Sequence, residues 1–137
     1  MTLQRVKLLD ITSVTGISTV GIFTAGISTT SAGGGAVGIA STCLVRSVIM
    51  HNTGLGTARV GLYINPNTTS VSTGYGVTAN RILLLDLAPN ETTFFESNYP
   101  IILTPYDAIS VDVGAPDAGG TGISSAVNFI INGDTNT

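Results

Sequence analysis

From Gly38 onward, apolar residues fall in short runs or alternate with polar ones, and turn-forming residues separate each run from the next. Cys43 to His51 is rich in β-favouring side chains and stops at Asn52-Thr53-Gly54-Leu55-Gly56, a clear turn signal. Val60, Leu62 and Ile64 alternate with Arg59, Gly61 and Tyr63, which predicts a half-buried strand closed by Asn65-Pro66-Asn67. A long polar loop follows from Thr68 to Thr78, with Gly74-Tyr75-Gly76 near its tip. Arg81 to Leu87 is almost unbroken Ile and Leu, the composition expected of a strand covered on both faces. It stops at Ala88-Pro89-Asn90-Glu91. Thr92 to Glu96 and Tyr99 to Leu103 then predict two short strands on either side of a turn. Ile109, Val111 and Val113 alternate with Ser110 and Asp112, and after the loop Ala115 to Gly122 the same alternation returns at Val127, Phe129 and Ile131.

No long segment keeps its apolar side chains on one helical face without Gly or β-branched crowding. The first third has a different texture. Gly16-Ile17-Ser18-Thr19, Gly21-Ile22-Phe23-Thr24 and Gly26-Ile27-Ser28-Thr29 recur every five residues, so successive Ile side chains on a straight strand would alternate faces. The run Ala32-Gly33-Gly34-Gly35-Ala36 reads as a flexible connection. Two readings stay open here: a pair of short strands, or an arm that orders against a neighbouring subunit. The expected organisation is an N-terminal arm over 1–35, a β-sandwich domain over 36–132 and a polar tail over 133–137. With the N-terminal pieces the chain holds about eight strands, which predicts an all-β fold, an antiparallel two-sheet sandwich of the jelly-roll kind.

Composition changes the picture by what it withholds. The chain has 137 residues, of which 9% are charged, against about a quarter in ordinary soluble domains. A domain of this size buries enough surface to need no disulfide or metal. Cys43 has no second cysteine to pair with and is expected to be a small buried residue in a strand. The five basic residues Arg5, Lys7, Arg46, Arg59 and Arg81 are scattered along a chain of net charge −3, which argues against nucleic-acid binding. Mean hydropathy is positive, yet the most apolar window, Ala36 to Met50, is interrupted by Ser41, Thr42, Arg46 and Ser47 and does not make a spanning helix. Asp10, Thr12 and Ser13 spoil a signal-peptide core. The expectation is a protein with no membrane and no targeting segment, whose excess apolar surface sits in a core or against other subunits.

Reactive chemistry is equally sparse. A hydrolytic triad needs His, carboxylate and nucleophile together; His51 is the only His, and no Ser sits in a Gly-x-Ser-x-Gly elbow. One His and one Cys do not build a zinc site. A calcium site from Asp107, Asp112 and Asp117 founders on spacing, because Asp107 and Asp112 are an odd number of residues apart and face opposite sides of a strand. The same parity separates Glu91 from Glu96, the only glutamates, and removes a glycosidase pair. Gly54-Leu55-Gly56 and Gly33-Gly34-Gly35 match no phosphate-binding loop. Tyr75, between two glycines, is the best candidate for stacking on a sugar. The sequence therefore points to no enzyme, no cofactor and no metal.

From Arg46 to Ile131 the chain resembles small structural proteins of tailed bacteriophages. Val48-Ile49-Met50-His51-Asn52-Thr53-Gly54 is similar to that group's apolar strand ending in Asn-Thr-Ser-Gly. Ala58-Arg59-Val60-Gly61-Leu62-Tyr63-Ile64-Asn65-Pro66 is similar to its second strand, which ends in a Pro-containing turn. Asn80-Arg81-Ile82 and Leu87-Ala88-Pro89-Asn90-Glu91-Thr92 resemble its third strand and a turn usually written Leu-Ala-Pro-Gly-Glu-Thr. Leu103, Asp107-Ala108-Ile109 and Val127-Asn128-Phe129-Ile130-Ile131 fall where its last strands belong. The Gly-Ile-Ser-Thr repeats are separately similar to tracts in fibre and virion proteins of marine phages. In one departure, Asn90 stands where Gly is usual, although Asn also tolerates positive φ. In another, the repeats lie outside the shared pattern.

The resemblance implies a non-enzymatic virion protein assembled in the host cytoplasm, with head decoration as the leading role and a neck, tail or fibre-base component as the alternative. A glycan-binding attachment module is the reading from another class. The implied partners are further copies of the chain, in one arrangement around a threefold axis, and other virion proteins such as the major capsid protein. The expected contact residues are Ile17, Ile22, Phe23 and Ile27 in the N-terminal segment and Tyr75 in the long loop.

Overall fold

The computed structural model describes residues 3–15, 19–25, 42–66, 78–114 and 126–136. Among them run eight strands: β1 (Leu3–Thr15), β2 (Val20–Thr24), β3 (Cys43–Asn52), β4 (Ala58–Asn65), β5 (Arg81–Leu87), β6 (Thr92–Leu103), β7 (Ala108–Gly114) and β8 (Ala126–Asn136). A single 3₁₀ turn at Thr78–Asn80 leads into β5. The strands form two antiparallel sheets, ordered β1-β8-β3-β6 and β2-β7-β4-β5. Strand β1 pairs with β8, β2 with β7, β3 with β6 and β4 with β5. That nesting is one long hairpin rolled into two layers, and the β3–β8 and β4–β7 ladders complete each sheet. The topology is a jelly roll, as the strand count and alternation predict.

Period-two alternation places the core. Val45, Val48 and Met50 of β3 face Ile131 and Phe129 of β8 on the inner side of the first sheet. Val60 and Leu62 of β4 lie beside Val113 and Val111 of β7 on the inner side of the second. Phe129, Met50, Leu62, Leu87, Leu103 and Ile109 are the largest fully buried side chains. Each such side chain contributes about 1.5–3 kcal/mol by leaving water, and together they bind the two layers. Cys43 is buried, as its place in an apolar strand leads one to expect, with its Sγ 4.0 Å from Thr135 Oγ1.

Four expectations need correction. The segment 1–35 is not an arm in its described parts: β1 is an edge strand of the first sheet and β2 an edge strand of the second. Leu8, Val14, Phe23 and Ala25 belong to the core, because alternating apolar residues in both pieces complete its inner faces. The polar tail expected over 133–137 is, in its described part 133–136, likewise part of the sandwich. β8 runs to Asn136, with Asp134 and Thr135 buried beside β3.

The turn expected between Glu96 and Tyr99 is a bulge inside β6. Ser47 pairs with Glu96 and Val45 with Ile101, so two steps along β3 are matched by five along β6. Finally, β5 is not covered on both faces. It is the free edge of its sheet, and Leu83, Leu85 and Leu87 turn inward while Ile82 and Leu84 are exposed. An unbroken apolar run does not separate a central strand from an edge strand with an exposed outer face.

Candidate interaction surface

Among the described residues no three His, Cys, Asp or Glu side chains come together as metal ligands. No helix there is long and apolar enough to cross a membrane. His51 faces outward from β3 with Nδ1 2.6 Å from Thr92 Oγ1, in a cross-strand pair with Thr92. Asp107 closes the turn after β6, where its Oδ2 accepts from Thr104 N–H at 2.9 Å and Thr104 Oγ1 at 2.8 Å. These partnerships hold turns and strands in place.

The polar core of the outer second sheet is built around Gly61. Its N–H donates to Asp112 Oδ1 at 3.0 Å, and Tyr63 Oη donates to Asp112 Oδ2 at 2.7 Å. A Cβ on Gly61 would stand 2.4 Å from that Oδ1 and 3.1 Å from the Tyr63 ring. Glycine at this strand position therefore lets Tyr63 lie flat along the sheet and reach Asp112. Burial raises the Tyr63 phenol above its ordinary range, and the Asp112 carboxylate it bonds adds to the rise against a smaller opposing effect of Arg81. Nearby, Ser110 Oγ and the Nδ2 and Oδ1 atoms of Asn65 are buried without a hydrogen-bond partner among the described residues.

The outer face of the first sheet carries a different pattern. Cross-strand pairing sets its side chains in rows. Ser13, Asn128, His51 and Thr92 make one polar row. The next holds Ile130, Ile49 and Phe94. On β1 it reaches the irregular stretch between Leu9 and Thr12, which contains Ile11. Then come Lys7, Asn132, Ser47 and Glu96, and beyond them Arg5, Asp134, Leu44 and Ile102. Ile11 is 62% exposed, Phe94 60%, Ile102 64% and Tyr99, in the β6 bulge, 83%. Large apolar side chains thus stand in water along both edges of this sheet.

Three of the five cations, far apart in sequence, converge at one end of that face, where Arg5, Lys7 and Arg46 line a shallow hollow of about 400 Å³ with Asn132 and Asp134. The cations are therefore less scattered than their sequence positions imply. Arg46 Nε donates to Asp134 Oδ2, and the Asp134 side chain is only 5% exposed. Lys7 reaches Asp10 at 3.3 Å in an exposed pair. The Ile11 backbone N–H bonded to Asp10 holds that carboxyl below its ordinary range, and Lys7 lowers it further.

The contact residues expected from sequence divide. Phe23 is in the core, so its side chain is not offered to a partner; Ile22 is half-buried in a cleft between β1 and β2. Ile17, Ile27 and Tyr75 lie outside the described residues. Sequence reasoning missed Phe94, Ile102 and Ile11. The available signal was parity: in Phe94-Phe95 one ring must point outward, and the pairing of Phe95 with inward Val48 settles which.

No family model matches the chain, and no curated protein matches it. Among solved structures it is similar to the infectious bursal disease virus Gx strain structure, at 11% identity and a TM-score of 0.46 over 98% of this chain and 39% of that one. The Gt strain structure of the same virus gives 12% identity and 0.38 over 98% and 32%. The chain spans about two-fifths or less of those chains, and the jelly-roll assignment stands on the strand pairing alone.

Proposed function

We propose that the chain is a non-enzymatic structural protein of a bacteriophage virion, present in many copies as a head decoration that stabilises the capsid. The observation that carries this reading is the exposed apolar surface: Ile11, Phe94, Tyr99 and Ile102 stand on a face and edges of one sheet of a chain with few charges. Patches of this kind mark contact sites, and burying them against neighbours adds cohesion to a shell. The jelly roll supports the reading by analogy, since viral capsid domains use it, although lectin domains do too. The strand and turn motifs that resemble those of tailed-phage structural proteins favour the virion over the lectin.

The test is a phage deleted for this gene. Its heads are expected to assemble but to release DNA at lower temperature than wild type, and adding the purified protein restores them. Deleted heads of wild-type stability overturn the decoration role. A neck, tail or fibre-base position is the second reading, favoured by the Gly-Ile-Ser-Thr repeats. In that case the same deletion leaves head stability intact and impairs tail joining or adsorption.

A further inference from the structure

The two edges of the first sheet complement each other in three of their four outward rows, while the fourth sets Ile102 beside Arg5. Along β6 the outward side chains run Thr92, Phe94, Glu96; along β1 the same rows hold Ser13, the stretch containing Ile11, and Lys7. A second copy set beside the first with its rows in line brings Thr92 to Ser13, exposed Phe94 to exposed Ile11, and Glu96 to Lys7 with Arg5 close by. Polar meets polar, apolar meets apolar, and acid meets base.

Strand direction agrees. All neighbours in the sheet are antiparallel, so β6 runs opposite to β1, and a β1 from the next copy continues the alternation. The irregular steps in β1 between Lys7 and Leu9 and between Leu9 and Thr12 interrupt any long main-chain ladder. Side-chain rows must then carry most of the contact. Pairing of β6 with β6 around a twofold fits less well, since it offers Glu96 no cation from its own strand.

We propose that copies of this chain associate head to tail, β6 of one against β1 of the next, with Glu96 facing Lys7 and Phe94 facing Ile11. A head-to-tail contact is not satisfied by two copies. It repeats, closing into a ring where the rotation between copies sums to a full turn and running on as a filament where it does not; the threefold arrangement is the smallest such ring. This inference deepens the reading of the chain as a many-copy structural protein and supplies the partner of its exposed edges.

The experiment uses purified full-length protein. Light scattering after size exclusion is expected to show a discrete ring of three or more copies for wild type. Glu96→Lys and Lys7→Glu each reduce it at least tenfold in favour of monomer, and the double variant restores it. A chain carrying Glu96→Cys mixed with one carrying Lys7→Cys, both on a Cys43→Ala background, should cross-link to each other and neither to itself. A monomeric wild type, an oligomer indifferent to charge reversal, or Glu96→Cys chains that link among themselves overturn the proposal. A ring in solution from a protein absent from virions would uphold this contact while refuting the virion role.

Discussion

Asn52 Nδ2 donates to the Leu87 carbonyl at 2.9 Å, tying the end of β3 in one sheet to the end of β5 in the other. The same amide donates to Gly56 O at 2.9 Å, and Asn52 Oδ1 accepts from Gly54 N–H at 2.8 Å. The backbone joins in, since Asn52 N–H reaches Glu91 O and Asn90 N–H reaches Asn52 O. Two turn motifs far apart in sequence are therefore one structural knot. Asn52→Ala removes the buried bonds to the Leu87 carbonyl and the Gly54 N–H and is expected to cost about 3 kcal/mol, read as a lower urea midpoint with an unchanged slope. A cost under about 0.5 kcal/mol contradicts this account of the knot.

The Tyr63–Asp112 bond predicts how stability depends on alkaline pH. Tyr63 is raised in the folded state from an ordinary value of 10.0. Its contribution is then fully present below the unfolded pKa and lost as pH rises through the folded one. Melting temperature should hold to about pH 10 and fall above it. Tyr63→Phe removes that part of the fall and, at neutral pH, costs about 1–2 kcal/mol for the lost bond to a charged acceptor. Identical pH profiles for the two proteins would refute this role.

Asp134 depends on Arg46 in a way Arg46 does not depend on Asp134, because the carboxylate is buried and the guanidinium about half exposed. Removing the cation strands a buried charge. Allowing for solvent around the arginine, Arg46→Ala should cost about 2 kcal/mol. Arg59→Ala, which breaks an exposed pair with Asp86, should cost less than Arg46→Ala. Chemical denaturation of the two variants side by side checks the order, and a reversed order sinks the argument.

Ser110 makes the opposite prediction. Its hydroxyl is buried with no partner among the described residues, so it already bears the cost of lost hydration. Ser110→Ala is expected to leave stability unchanged or raise it by up to about 1 kcal/mol. A clear loss in thermal denaturation would mean that the hydroxyl is bonded in solution.

Much of this fold was legible because inner faces alternate. Val60, Leu62, Val111, Val113, Val127 and Phe129 are all buried, as period two requires. Asn90 adopts φ 62°, the left-handed geometry inferred where a glycine was usual. What escaped notice depended on partners distant in sequence. Nothing local tells Arg81–Leu87 that it will be an edge, nor tells Arg5 and Lys7 that β1 will lie beside β8 and bring them to Arg46. The bulge at Tyr99 looked like a turn because Asn98 and Pro100 flank it, and only the β3 register shows the strand continuing. The candidate surface is the least legible part, since Ile11, Phe94 and Ile102 lie in ordinary alternating strands and become a surface only through the sheet's pairing.

The measurement that tests the central claim most directly is quantitative mass spectrometry of purified phage separated into heads and tails. A decoration role predicts hundreds of copies in the head fraction. A few to a few dozen copies accompanying tails contradict decoration and move the protein to the neck, tail or fibre base, and absence from both fractions contradicts the virion role altogether.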